Sequence, residues 1–222
     1  MKRTITLAAL AIGAGAGAGA AHAQSSIAVG AGIGTTGGVV EAQVEITSFV
    51  QLRGGYNYFQ YDHDDTYDDI DYSGQLDLST LAAFVDFRPF ANSFIITGGA
   101  YFGEKTLDLA AASGQTYQIG GQTYSAAQVG TLSGAVDLED TAPFVGVGWD
   151  TTFQGDGNIG FKFIAGAMFT GSPQVNLTST GGTLSNDANF QTQLATEEQN
   201  LQDDIDTYEV YPVIQAGLTL RF

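Results

Sequence analysis

Few residues in this chain could carry acid–base or nucleophilic chemistry. There is no cysteine, and the histidines are His22 and His63, so thiol catalysis and cysteine-bound metals are excluded. His63 lies among aspartates, which favour the protonated imidazole and make it a poor general base at neutral pH. No serine stands two or four residues from it, where a strand would place a nucleophile on the same face. We predict no catalytic residue, no cofactor and a non-enzymatic protein.

A dense run of carboxylates surrounds His63. Oxygen ligands of this kind bind Ca²⁺ or Mg²⁺, but Tyr67 stands where the EF-hand pattern needs glycine and Ser73 where it needs glutamate. We predict a solvated acidic loop over residues 62–71, with a weak divalent-cation site as the alternative. The carboxylates of that alternative site are Asp62, Asp64, Asp65, Asp68, Asp69 and Asp71.

The charge balance argues against nucleic-acid binding. Asp and Glu number 24 against 7 Lys and Arg, for a formal net charge of −17, and phosphate contacts need clustered basic residues. Opposite charges at matched positions would either neutralise one another or form a ring that selects ions. Which of these occurs depends on the elements that position them. The basic residues beyond residue 23 are Arg53, Arg88, Lys105, Lys162 and Arg221.

Alternation between apolar and polar residues recurs along the chain and predicts strands. No apolar run after residue 23 reaches the ~20 residues of a membrane-spanning helix. The clearest case is 208–222, where one face is apolar and the other is polar or glycine, as in a transmembrane barrel or a half-buried strand of a soluble sandwich. Seven more segments bring the count to about eight strands. They are 27–34, 40–46, 50–58, 80–88, 94–103, 143–149 and 159–170.

Short turns alternate with long connections, an asymmetry that is typical of transmembrane barrels. Turn sequences occur at 47–48, 89–92 and 154–158, whereas 62–71, 111–132 and 172–206 are long; only 36–38 is a tight turn on the long side. In the last long connection, apolar residues at helical spacing follow Asp187, a suitable N-cap. We predict an acidic helix there, which packs on the protein's own rim, with coverage of the barrel mouth or contact with a partner as the alternatives. Its apolar residues are Phe190, Leu194, Leu201 and Ile205.

Aromatic residues cluster at both ends of the predicted strands and suggest the two girdles of a membrane barrel. In a soluble protein the same residues would lie in the core. The group near the short turns is Phe49, Phe87, Phe90, Phe94, Trp149, Phe153, Phe161 and Phe222. The group at the other end is Tyr56, Tyr58, Phe102, Phe169 and Tyr208.

The N-terminus carries the pattern of an export signal. Lys2 and Arg3 precede an apolar stretch over 5–20, and Ala21 and Ala23 occupy the positions that a signal peptidase reads. The Gly/Ala-rich stretch would be a poor spanning helix, which argues against a retained anchor. We predict a signal peptide at residues 1–23 and one barrel domain at residues 24–222.

The last eight residues resemble the C-terminal strand of Gram-negative outer-membrane barrels, which the barrel-assembly machinery recognises. The matching residues are Gln215, Gly217, Leu220 and Phe222. The chain is similar to the small barrels of the outer membrane protein A, X and W type. Through segments 124–134 and 211–213, it also resembles a group of exported proteobacterial barrels without assigned function.

This resemblance implies an all-β, eight-stranded antiparallel up-and-down transmembrane β-barrel with short periplasmic turns, long external loops and a short helix in the last loop. It also implies a location in the outer membrane with the C-terminus in the periplasm. The expected surroundings are outer-membrane lipids and lipopolysaccharide, to which divalent cations could bridge the acidic loop. The resemblance carries no activity with it.

We predict that inward charges form a paired cluster that plugs the lower lumen, because an eight-stranded barrel is just wide enough for side chains to fill it. The predicted role is structural or surface interaction by a monomer with acidic external loops. One alternative is a narrow channel or uptake site lined by the inward basic residues; a lipid-acting enzyme is a third. The cluster comprises Glu41, Glu45, Arg53, Asp86, Arg88, Lys162 and Arg221.

Overall fold

The structure is a computed structural model that describes residues 27–67, 70–111 and 116–222. Residues 62–67, 70–73 and 111 are described by their backbone alone. The signal peptide predicted at residues 1–23 therefore lies outside the described residues. The elements in chain order are β1 (Ile27–Gly34), β2 (Gly37–Thr47), β3 (Val50–Tyr67), β4 (Ile70–Phe87), β5 (Phe94–Ala111), β6 (Thr116–Ile119), β7 (Gln122–Ser125), α1 (Ala126–Val129), β8 (Gly130–Asp137), β9 (Thr141–Asp150), β10 (Ile159–Phe169), β11 (Gln174–Gly181), α2 (Ala188–Ile205) and β12 (Val210–Arg221).

Eight of these strands close into an antiparallel barrel. The order around it is β1, β2, β3, β4, β5, β9, β10 and β12, and β12 pairs back to β1 with Arg221 opposite Ala28. Closure gives each of these eight strands a partner on both sides within the barrel and removes the edges that an open sheet would present there. The predicted eight-stranded up-and-down barrel is confirmed.

The period-two pattern sorts side chains between the lumen and the outer surface. In β10, Lys162 and Ile164 are buried inside the barrel, whereas Phe161 and Phe163 are exposed outside. One residue of the predicted girdle departs from this scheme, because Phe153 is buried. It lies in the β9–β10 turn, outside any strand, so strand alternation does not govern its direction.

The two ends of the barrel differ. At the short-turn end, brief connections join β2 to β3, β4 to β5 and β9 to β10. At the long-loop end, β3, β4 and β5 continue past the barrel, and β8 and β11 add to the β5 side. We call the sheet formed by residues 59–67, 70–80 and 103–111 with β8 and β11 the wall.

The wall corrects the predicted acidic loop. Backbone pairing of β3 with β4 continues through Asp62 opposite Gln75 to Tyr67 opposite Ile70, so most of 62–71 is a β-hairpin. An antiparallel ladder adds hydrogen bonds residue by residue once its register is set, and the acidic side chains do not interrupt it. The long connections at 111–132 and 172–206 likewise contain strands in addition to helix.

Helix α2 packs on the protein's own rim, one of the three predicted arrangements. The Asp187 carboxylate accepts hydrogen bonds from the backbone N–H of Asn189 and Phe190, both at 3.0 Å, which caps the helix. Phe190 and Leu194 are buried in an apolar cluster with residues of the β6–β7 hairpin and α1. No helix of the described residues is long and apolar enough to cross a membrane.

The same helix covers the free edge of β11. The Glu198 carboxylate accepts from Leu177 N–H at 2.8 Å, and Gln202 Oε1 accepts from Val175 N–H at 3.0 Å. Residues four apart on a helix rise about 6 Å, which matches the span of about 6.6 Å between alternate residues of a strand. The helix therefore pairs donors that an edge strand would otherwise leave open.

Candidate functional site in the barrel lumen

The lower lumen holds a buried network of charges that four strands position: the adjacent strands β2, β3 and β4, and β10 from elsewhere around the barrel. Glu41 lies on β2, Arg53 on β3, Asp86 on β4 and Lys162 on β10, each at an inward position of its strand. Because the strand register sets their height, all four side chains reach the same level of the lumen. All four are almost fully buried.

Arg53 is the centre of this network. Its Nε donates to Asp86 Oδ2 at 3.0 Å and its Nη2 to Asp86 Oδ1 at 3.1 Å, a bidentate pair. Its Nη2 also donates to Thr97 Oγ1 at 3.1 Å, and its Nη1 lies 3.6 Å from Glu41 Oε2. The guanidinium stacks on the Phe84 ring at 4.2 Å from the centroid. These contacts fix the cation in one orientation.

Glu41 joins a second cation to the network. Its Oε1 pairs with the ammonium of Lys162 and accepts from Gln43 Nε2 at 2.7 Å. Glu41 thus lies between Lys162 and Arg53. A carboxylate shared by two cations offsets the cost of burying each of them.

Asp150 supplies a third buried carboxylate. Gln51 Nε2 donates to both Asp150 Oδ2 and Asp86 Oδ2 at 2.9 Å, so one amide holds two carboxylates in place. Asp150 Oδ1 accepts from the backbone N–H of Thr152 at 2.8 Å and from its hydroxyl. Arg88 Nη2 lies 3.8 Å from Asp150 Oδ2. Three buried carboxylates therefore face the three buried cations Arg53, Arg88 and Lys162.

Arg88 is the least well paired of these cations. Its side chain is fully buried, yet its Nε and both Nη atoms make no hydrogen bond within the described part of the chain. The guanidinium lies 5.9 Å from the ring centroid of Phe153, which folds across the short-turn end. Within the described part of the chain, Asp150 is its one ion-pair partner.

The seven residues predicted as a lumen cluster divide into two groups. Glu41, Arg53, Asp86 and Lys162 lie together, and Arg88 joins them through Asp150. Two predicted members do not join. Glu45 is half-buried and has no ion pair among the described residues, whereas Arg221 donates to the Gly155 carbonyl at 3.0 Å. Glu45 is partly exposed to water, which competes with ion pairing, whereas Arg221 is buried and its guanidinium is held by the carbonyl.

Sequence reasoning missed Asp150 and the two glutamines. Asp150 continues the inward series of Gly146 and Gly148 by two residues, but the alternation of β9 is weak and the predicted strand ended at 149. Gln43 and Gln51 also occupy inward positions that the alternation marks. Attention to charged residues alone overlooked the neutral amides that hold the carboxylates.

Above the charges, aromatic side chains fill the lumen. Phe84, Tyr101 and Phe144 make mutual edge-to-face contacts with ring centroids 5.2, 5.4 and 5.7 Å apart, a favourable geometry for aromatic pairs. Neighbouring inward glycines make room for them. A Cβ on Gly146 or Gly166 would lie 2.8 or 2.7 Å from the Phe144 ring. The lumen is thus polar and ion-paired below and apolar above.

The residues of the C-terminal motif close the barrel. Gln215 is buried and its Nε2 donates to Thr36 Oγ1 at 2.7 Å and Asn57 Oδ1 at 3.0 Å. At Gly217, a Cβ would lie 2.9 Å from the Ala31 carbonyl oxygen of β1. Leu220 and Phe222 are exposed on the outer surface.

The predicted divalent-cation site falls outside what the structure describes in atomic detail. Asp68 and Asp69 lie outside the described residues, and the side chains of Asp62, Asp64, Asp65 and Asp71 are not described. The side chain of His63 is likewise not described. Among the side chains that are described, no group of three or more residues could hold a metal ion.

Comparison with known proteins identifies the fold. No family profile and no curated protein matches this chain. Among solved structures, the chain is similar to CarO2 of Acinetobacter baumannii, with 22% identity, a TM-score of 0.58, and coverage of 90% of this chain and 100% of that one. CarO of the same organism matches with 22% identity, a TM-score of 0.56, and coverage of 89% and 98%. This chain has the fold of the small outer-membrane barrels.

Proposed function

We propose that this chain is a non-enzymatic, monomeric outer-membrane protein with a filled lumen and a structural or surface-interaction role. In this proposal it is exported, inserted by the barrel-assembly machinery, and oriented with its C-terminus in the periplasm. The observation that carries the proposal is the packed lumen. Three paired charges of each sign and an aromatic cluster occupy the path that a solute would take.

The outer surface supports placement in a membrane. Along β10 the outward residues from Ile159 to Phe169 are all apolar or aromatic, and Ile159 is 75% exposed. Ten residues of strand span about 33 Å, or roughly 25 Å along the barrel axis at a typical tilt, which is the height of a lipid-facing band. Exposure of such a band to water would be unfavourable.

The charge distribution supports a role at the long-loop end. By sequence position, the acidic residues concentrate in the wall, in α2 and in the connections between them. Apart from His63, the basic residue of that region is Lys105. The Lys105 ammonium donates to the Gly103 and Asp140 carbonyls at 2.9 and 3.1 Å, so it is already occupied. We expect this end to favour cations and neutral polar partners.

Single-channel recording tests the filled lumen. The chain without residues 1–23 would be refolded in detergent, checked by circular dichroism and heat-modified gel mobility, and placed in a planar bilayer. We expect folded protein and no discrete conductance steps. Discrete, charge-selective steps from the unaltered chain would contradict the proposal.

A narrow channel is the alternative that one observation favours. The lower lumen is polar, and Arg88 keeps unpaired nitrogen atoms there, as a site that handles small solutes would. If the unaltered chain conducts, Arg53→Gln and Arg88→Gln should reduce its anion preference.

A lipid-acting enzyme is the third candidate. Measurement of phospholipid and lipopolysaccharide turnover by the unaltered chain and by His63→Ala tests it.

A further inference from the structure

The outward face of the wall carries a polar groove. This face continues the lipid-facing side of β5, because Phe102, Asp108 and Ala110 are separated by even numbers of residues. The groove has a volume of about 500 Å³ and crosses β4, β5, β8 and β11. Backbone pairing aligns its first row, with Asp108 opposite both Gln75 and Ala135, and Asn176 opposite Ala135.

The lining has unused hydrogen-bonding capacity. The side chains of Asp108, Ser133, Asn176 and Thr178 make no hydrogen bond within the described part of the chain, whereas Gln75 Nε2 donates to Asp77 Oδ2 at 2.7 Å. The floor consists of small residues, including glycine and alanine. A flat ligand could therefore approach the sheet closely while meeting a carboxylate, an amide and two hydroxyls.

This set of groups is suited to the hydroxyls of a saccharide. A carboxylate accepts hydrogen bonds from hydroxyls, an amide both accepts and donates, and hydroxyls do either. No lysine or arginine lines the groove, which disfavours a phosphate ligand because phosphate binding relies on basic side chains. No long apolar side chain other than Leu109 lines it, which disfavours an acyl chain.

The position of the groove indicates where such a saccharide would come from. Asp108 is six residues beyond Phe102, about 20 Å along the strand and roughly 15 Å along the barrel axis at a typical tilt. The groove faces sideways, away from the lumen, just above the lipid-facing band. That is where the sugars of an outer-leaflet glycolipid lie around an inserted barrel.

We propose that this groove binds neutral sugars of the glycolipid that surrounds the barrel in the outer leaflet. The inference rests on the proposed function, because only insertion in that membrane places the groove beside those sugars. Asp108 on β5 and Asn176 on β11 would contact the saccharide from either side of β8. Bound glycolipid would fix the wall against the membrane surface.

The first experiment measures binding of a soluble ligand. The probe is a phosphate-free oligosaccharide of the neutral sugars in the lipopolysaccharide core, titrated calorimetrically into refolded protein in detergent. We expect binding by the unaltered chain and a loss of affinity of about tenfold or more in Asp108→Ala/Asn176→Ala, because hydrogen bonds to a charged group are among the stronger ones.

The chain offers a matched control on the same face of the wall. Glu104→Ala/Gln174→Ala also removes one carboxylate and one amide from exposed positions outside the groove. We expect this variant to bind as the unaltered chain does. Equal losses in both double variants, or no binding by protein that folds normally, would overturn the inference.

A second experiment tests the source of the saccharide. Thermal unfolding would be compared in vesicles of phospholipid alone and vesicles that also contain the intact glycolipid. We expect the glycolipid to stabilise the unaltered chain more than the groove variant. Equal stabilisation would overturn the assignment to the membrane glycolipid. Folding without any amphiphile would instead refute the proposed function, whereas insertion without saccharide binding would refute only the groove.

Discussion

Replacing Arg53 with methionine removes the cation at the centre of the lumen while keeping much of its volume. The change leaves Asp86 without its bidentate partner at 3.0 and 3.1 Å, and Glu41 without a cation at 3.6 Å. Both carboxylates remain buried. Removal of one partner from a buried pair typically costs about 3–5 kcal/mol, because the remaining charge is left uncompensated.

We therefore expect Arg53→Met to lower the free energy of unfolding by about 3–5 kcal/mol. A second variant, Arg53→Met/Asp86→Leu, removes both members of the bidentate pair and leaves Glu41 paired with Lys162. It should be more stable than the single variant, since no unpaired charge remains at position 86. The difference between these variants measures the coupling of the two residues.

The assay is reversible urea unfolding of the refolded barrel in lipid vesicles, followed by circular dichroism and by heat-modified gel mobility. Arg221→Met is the matched control, because Arg221 is also inward and basic but its guanidinium, among the residues that the structure describes, donates only to the Gly155 carbonyl. We expect it to cost about 1 kcal/mol. A loss for Arg53→Met no larger than that of the control, or no recovery in the double variant, would refute the account of the network.

Three further outcomes test other parts of the fold. Gly99→Ala should prevent stable folding, because its Cβ would overlap the Ala83 carbonyl oxygen. At the neighbouring control position Gly98, the nearest atom to an added Cβ is 4.0 Å away. Heat-modified gel mobility should therefore be lost in Gly99→Ala and kept in Gly98→Ala. Glu198→Ala/Gln202→Ala should speed hydrogen exchange at the Val175 and Leu177 amides without loosening the barrel, because α2 accepts both bonds; unchanged exchange would contradict the edge-covering role. Burial lowers the pKa of Lys105 against the opposing effect of Asp140 and Glu139. The unfolded chain therefore holds this proton to higher pH than the folded chain, and the free energy of unfolding should rise as pH increases from the lowered pKa to about 10.4. Lys105→Met should remove that part of the rise in urea titrations.

The strands and their faces could be predicted because they depend on local pattern. Alternation with period two places neighbouring side chains on opposite sides of any strand, so residues such as Lys162 and Phe163 were assigned to the correct sides of β10. The end of each strand was less predictable. The ladder between β3 and β4 continues through acidic residues that suggested a loop, because backbone pairing does not require apolar side chains.

The sequence by itself determined the number of barrel strands, the closing motif of β12 and the inward direction of the buried charges other than Asp150. Only the tertiary structure decided which of those charges pair. Gln51 and Asp150 are 99 positions apart, and Arg53 reaches Asp86 rather than another acid because strand register and barrel closure set the heights of both. Local alternation specifies a side of the strand, whereas the partner across the lumen depends on how all eight strands are aligned.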